Sequence, residues 1–320
     1  MIINDCLKRL GVDSLSEMQK AAGEAILRGD NDVVLLSPTG SGKTLAYLLP
    51  IVQKIDQNDD HVQCVVIVPG RELALQSANV LNDMKTGLRC CACYGGRMTM
   101  EEHLVLRQVR PQIIFATPGR LNDHLDKQNI SADCIRYVVI DEFDKCLEMG
   151  FADEMGAIMG KLPNVEMRVL LSATDTDSIP NFVNMGRTVR LDYLDSAETV
   201  SERLKIYKVN VPVKDKLETL SSLLKTFGSQ SSIVFVNYRE SVERVDAYLR
   251  GLGFVTSAYH GGLDQRERED AIYKFANGSA NVLVSTDLAS RGLDIPFVEN
   301  IIHYHLPETE DNYIHRTGRT

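Results

Sequence analysis

Between an apolar run at 32 to 36 and a helical one at 45 to 55, the chain reads SPTGSGKT over positions 37 to 44. An extended apolar segment that breaks into glycines and then enters a helix has few uses. Gly40 and Gly42 permit tight turns and close backbone approach, and the helix start offers unpaired amides. Lys43 adds a point charge and Thr44 a hydroxyl for a metal, so that with Thr39 and Ser41 the stretch reads as a loop that cradles phosphate. The strict pattern has glycine at 37, where this chain has Ser37.

A second stretch, YVVIDEFDK at 137 to 145, explains what faces that loop. Val138, Val139 and Ile140 leave neither face of a strand polar, as in a sheet covered on both sides. Asp141 then stands at the carboxyl end, the edge where open parallel sheets bind ligands. Clustered carboxylates there need a cation or hydrogen-bond donors to offset their repulsion. Asp141 is therefore expected to hold Mg²⁺ with Thr44, and Glu142 to orient or deprotonate a water; hydrolysis of a nucleoside triphosphate is the reaction implied.

The same short apolar runs recur as DVVLLS, VQCVVIV, QIIFAT, RYVVID and EMRVLLS, separated by amphipathic stretches. That alternation predicts βαβ units and a parallel sheet. The pattern lapses at YLDSAETVSE and restarts with KIYKVNV, SSIVFVN, NVLVST and VENIIHY, each expected to be a strand. We therefore expect two α/β domains, at 1–194 and 203–320, joined by a linker at 195–202.

Composition narrows the partners. A net charge of −9 excludes binding of nucleic acid by a bulk basic surface, so any polyanion site must be built from particular arginines, amides and helix ends. No run approaches the length of a membrane span and no apolar leader opens the chain, which points to a cytoplasmic protein. Several of the seven cysteines lie within apolar strand-like runs, as Cys64 does in VQCVVIV, and the seven read as buried free thiols. Cys90 and Cys93 have C-x-x-C spacing without the second pair that zinc normally needs.

SPTGSGKT, DEFD, SAT at 172 to 174, SRGLD at 290 to 294 and HRTGR at 315 to 319 stand in one order. Together they resemble the DEAD-box family of ATP-dependent RNA helicases, as do SLSEMQ, PGRELA, Gly95 with Gly96, TPGR, IVFVN and HGGLDQRER. The resemblance implies two tandem RecA-like domains, each a mostly parallel sheet flanked by helices. It implies ATP and Mg²⁺ as cofactors, with Gln19 reading adenine and Ser16 supporting the same turn. Asp294 would reach the ribose, Arg319 would be the arginine finger with Arg316 beside it, and Ser172 and Thr174 would bond near Asp144 to couple nucleotide state to domain closure. RNA, single-stranded or in short duplexes, would be met by Arg71, Gly96, Thr117, Gly119 and Arg120 in the first domain. Gly261, Gln265, Arg268 and Thr286 would meet it in the second, largely through sugar and phosphate. A monomer that separates short duplexes is implied; an ATP-gated RNA clamp without productive unwinding is the alternative.

Four departures from the family pattern carry expectations. Phe143 replaces the alanine of the acidic motif and is expected to bring a large ring beside the coupling layer. Gly70 replaces a threonine and removes a hydroxyl from the RNA face. The family's upstream aromatic would precede residue 1. The chain stops within the last motif, so a fragment of a longer protein is expected, with the second domain truncated.

Overall fold

In the computed structural model, described residues are 3–96, 99–175, 179–194, 205–211, 215–290 and 298–318. The chain divides into two compact units, Met1–Ala197 and Glu198–Thr320. In the first, the described strands are β1 (Asp32–Leu36), β2 (Cys64–Ile67), β3 (Cys90–Cys93), β4 (Ile113–Ala116), β5 (Tyr137–Ile140), β6 (Met167–Ser172) and β7 (Thr188–Asp192). They form one sheet in the order β3-β4-β2-β5-β6-β1-β7, and every pairing is parallel.

Successive residues of a strand face opposite ways, and here both faces are covered. Val33 and Leu35 of β1 enter one apolar cluster with Val66, Val139 and Val169. Val34 and Leu36 enter the other with Ile67, Ile140 and Leu170. This two-sided burial is why the strands read as continuous apolar runs rather than as alternating ones.

The second unit repeats the plan on a smaller scale. Its described strands, β8 (Ser232–Phe235), β9 (Thr256–Tyr259), β10 (Val282–Ser285) and β11 (Asn300–His303), run parallel in the order β11-β8-β10-β9. Val234 and Val284 point into one cluster, Ile233 and Leu283 into the other. Both units are thus tandem parallel-sheet α/β domains flanked by helices.

Two helices begin as their sequences dictate. Ser16 and Gln19 form a reciprocal capping box on helix Glu17–Arg28, which ends at Gly29 in the left-handed region. Asp264 and Glu267 do the same for helix Gln265–Ala276. Residues 205–211, within KIYKVNV, are a correction: they form no strand, and Ile206, Tyr207 and Val209 are exposed. Apolar-polar alternation supplies a strand's side chains but not its ladder, and among the described residues no neighbour pairs with this segment. The structure also adds β7, which alternates between exposed and half-buried residues and so lacks the apolar run used to find the others.

Asp32 pins the lower end of β1. Buried at the first position of that strand, it accepts the Arg168 N–H and the Gly186 N–H, both at 2.6 Å, and lies 3.8 Å from the Arg168 guanidinium. Asp32→Ala leaves two buried amides without acceptors, and we expect a loss of about 3 kcal/mol in urea unfolding of the first unit.

Candidate functional site

Because the first sheet is parallel throughout, the three chemical segments leave it at one edge. The phosphate loop follows β1, the acidic motif follows β5 and SAT ends β6, the strand between them. Register is tight: Leu36 is paired with Ser172, Ile140 with Leu170, and the Ser37 N–H donates to the Ser172 carbonyl at 3.0 Å.

The loop closes on its own lysine. Lys43 Nζ donates to the carbonyls of Ser37 at 2.6 Å and Pro38 at 3.0 Å and is buried at the start of helix Lys43–Lys54. Gly42 has φ +83°, a left-handed conformation that favours glycine, and a Cβ there would stand 2.5 Å from Gln19 Nε2 and push that side chain off the loop. Gln19 Nε2 donates to the Gly42 carbonyl at 3.1 Å while its Oε1 accepts the Ser16 N–H at 2.9 Å. Gln19 is thus brought onto the loop, with Ser16 holding its amide from behind. Ser37, the departure from the glycine pattern, donates its hydroxyl to Ser41 Oγ at 2.7 Å, a clasp that spacing alone does not reveal.

Asp141 and Glu142 are both buried, and Glu142 adopts φ +50°, a left-handed conformation disfavoured for a residue with a side chain. Burial first, and then repulsion from Glu142, push the Asp141 carboxyl up to about 7, with nearby Lys43 pulling the other way. A carboxylate whose charge is held off by its surroundings is ready for a cation. With the Thr44 hydroxyl it offers hard oxygen donors of the kind Mg²⁺ takes, so these residues fit that ion. Next along, Thr174 Oγ1 donates to Asp144 Oδ2 at 3.0 Å, while Ser172 Oγ donates to the Thr174 carbonyl at 2.6 Å. Ser172 therefore meets Thr174 rather than Asp144.

The Phe143 ring is 1% exposed and packs with Val138, Ile140, Cys146 and Leu170, so it fills the core under the motif. Gly70, the other substitution, is the N-cap of helix Arg71–Asp83 with no side-chain cap.

The remaining candidates of the first unit leave the same edge on its other half, from β2, β3 and β4. Arg71 lies against Gly96, where a Cβ would stand 2.9 Å from Nη1. Thr117 is the N-cap of helix Pro118–Asp126, which carries Gly119 and Arg120. Arg120 is 3.2 Å from Glu102, a partner that sequence spacing did not suggest.

In the second unit, Gly261 and Thr286 follow the carboxyl ends of β9 and β10, while Gln265 and Arg268 lie on helix Gln265–Ala276. Arg316 is wholly buried: Nε donates to Asp287, Nη1 to the His305 carbonyl at 2.8 Å and Nη2 to Asn237 Oδ1 at 3.0 Å, over the Phe235 ring. It braces three loops of its own unit. Asp294 and Arg319 lie outside the described residues, as does the linker at 195–202.

The family described as DEAD/DEAH box helicase matches residues 16–182, and helicase conserved C-terminal domain matches 215–320. The ATP-dependent rRNA helicase RRP3 of Yarrowia lipolytica is 36% identical over 294 residues, covering 90% of this chain and 61% of that protein. The DEAD-box ATP-dependent RNA helicase RhpA of Helicobacter pylori is 35% identical over 315 residues, covering 97% and 63%. The chain thus spans about three-fifths of the length of these relatives. Among solved structures, S. cerevisiae Dbp5 bound to RNA and ADP BeF3 is 26% identical with a TM-score of 0.83, covering 99% of this chain and 83% of that one. Mss116 bound to ssRNA and UDP-BeF gives 26% and 0.84, covering 99% and 70%. No helix among the described residues is long and apolar enough to cross a membrane.

The raised Asp141 has a measurable consequence. Between the ordinary carboxylate value near 4 and about 7, the folded chain keeps a proton that the unfolded chain has lost. This group's contribution to stability therefore falls as pH rises through that window and is level above it. Calorimetric unfolding of the nucleotide-free protein from acid to neutral pH should show Asp141→Asn with a shallower decline than wild type.

Proposed function

Since this chain belongs to the DEAD-box family of helicases, we propose that it is an ATP-dependent RNA helicase, in which RNA-stimulated ATP hydrolysis is coupled to closure of the two units on ATP and RNA and to local separation of short RNA duplexes. The observation that carries this reading is the edge of the first sheet, where the lysine-closed phosphate loop and the Asp141–Glu142 pair lie two strands apart, bridged by SAT.

Each side chain then has a task. Lys43 exchanges the Ser37 and Pro38 carbonyls for phosphate oxygens, and the amides at 39 to 44 take up the remaining phosphate charge. Thr44 and Asp141 would hold Mg²⁺, which would supply positive charge to offset that of the phosphates. Glu142 orients the attacking water and accepts its proton, a role worth about 10²–10⁴ in rate. Gln19 turns from the loop carbonyl toward an adenine edge, and Asp294 reaches the ribose. Arg319 stabilises charge developing on the γ-phosphate, and the brace around Arg316 fixes the helix that leads to it.

Through the Thr174–Asp144 contact, SAT couples the nucleotide to closure. Arg71, Gly96, Thr117, Gly119 and Arg120 meet sugar and phosphate from the first unit, as do Gly261, Gln265, Arg268 and Thr286 from the second. Contacts of that kind are tolerant of sequence and favour RNA where the 2′-hydroxyl is read. The working unit is a cytoplasmic monomer.

Steady-state ATP hydrolysis measured with single-stranded RNA, with DNA of the same sequence and with neither tests this. RNA should stimulate and DNA should not. Glu142→Gln should lower the stimulated rate by at least about 10²-fold while leaving nucleotide binding in place, and Lys43→Ala should weaken both. Unchanged turnover in either variant refutes the site.

A further inference from the structure

Cys93, Glu102 and His124 reach one point from three elements. Cys93 ends β3, Glu102 lies on helix Thr99–Val109 and His124 on helix Pro118–Asp126. A sulfur, a carboxylate oxygen and an imidazole nitrogen from these residues lie within 4.8 Å of one another, and all three residues are buried. The neighbourhood is polar for a protein interior. Glu102 Oε1 accepts the Tyr94 N–H at 3.2 Å, and Oε2 faces both His124 Nε2 at 3.0 Å and Arg120 at 3.2 Å. Those contacts account for Glu102, His124 and Arg120 but give no task to the Cys93 sulfur, which converges on the same point. Beside it lies a cavity of about 230 Å³, lined in part by Cys93, Glu102 and Leu106.

We propose that Cys93, Glu102 and His124 form a binding site for a transition-metal dication of the zinc class, on the β3 side of the first sheet and away from the phosphate loop. The donor set decides the class. Thiolate and imidazole suit zinc-like ions and are poor ligands for Mg²⁺ and Ca²⁺, which take oxygens. Three protein ligands with a fourth position open toward a cavity is a common zinc arrangement.

Binding balances as a proton exchange. The dication takes the Cys93 sulfur and the thiol proton leaves to solvent, while a Glu102 carboxylate oxygen and the His124 Nε2 lone pair are the other two donors. Burial, and then the Glu102 carboxylate, hold the Cys93 thiol well above its ordinary range, so the sulfur keeps its proton until a cation replaces it. Asn129 Nδ2 lies 3.1 Å from His124 Nδ1. Half a turn of that amide lets its oxygen accept from Nδ1–H, the outer hydrogen bond that metal-bound imidazoles ordinarily keep, and leaves Nε2 for the ion. A dication on Glu102 Oε2 also competes with Arg120 for that oxygen, so occupancy loosens the ion pair that holds this arginine.

The test uses the whole chain, stripped with chelator and kept in excess Mg²⁺ to mask oxygen-only sites. Titration with Co²⁺ should give a saturable near-ultraviolet thiolate-to-cobalt band at one equivalent, reversed by Zn²⁺, with one proton released per metal in weak buffer. Cys91→Ser should keep the band. Cys93→Ser should abolish it, and His124→Ala should lower Zn²⁺ affinity by more than the roughly 100-fold that losing an outer partner costs. If Cys93→Ser does not fold, Glu102→Gln carries the comparison, with the same large loss of affinity expected. No saturable band in wild type, a band undiminished in Cys93→Ser, or unaltered affinity in Glu102→Gln overturns the site.

Discussion

The parallel pairing of β1, β6 and β5 is the constraint on which the rest depends. Parallel strands all point their carboxyl ends the same way, so the segments that follow them must emerge at a common edge. Leu36 opposite Ser172 and Ile140 opposite Leu170 fix how far each projects. A slip of one residue would send each side chain of the shifted strand to the wrong face and move its loop along the edge. The apolar packing on both faces guards against this, since Val33 and Val34 belong to different cores.

That edge concentrates polar groups at the boundary of a dense interior, and the structure answers with local pairings. Lys43 is held by two loop carbonyls, Gln19 by a carbonyl and an amide, and Asp144 by Thr174. Asp141 accepts the Glu142 N–H at 2.9 Å, yet its charge is opposed by burial and by the Glu142 carboxylate. Each of these contacts can be exchanged for one to a ligand at little net cost, because one hydrogen bond replaces another. In the second unit the balance differs. Arg316 is enclosed by an aspartate, an asparagine, a carbonyl and an aromatic face, a set of contacts costly to give up together.

The other half of the first edge follows the same economy. Glu102 gathers an amide, an arginine and a histidine, tying the end of β3 to the helix that carries Arg120. Such a hub sets the position of a cationic side chain without any basic surface around it, consistent with a net charge of −9.

Much of this was legible in the residues because it is local. Strand, glycine loop and helix at 32 to 54 and the acidic strand end at 141 each depend on neighbours a few positions away. The two-domain α/β plan followed from repetition of those local signals. What the sequence alone left open depends on distant partners. Nothing near Phe143 says that its ring turns into the core, nothing near 205–211 says that its alternation finds no ladder, and Glu102 gives no hint of His124 or Arg120. Local propensity determines which elements form and where they end. Only the packed sheet decides which of their side chains meet, because register and burial are properties of the whole unit.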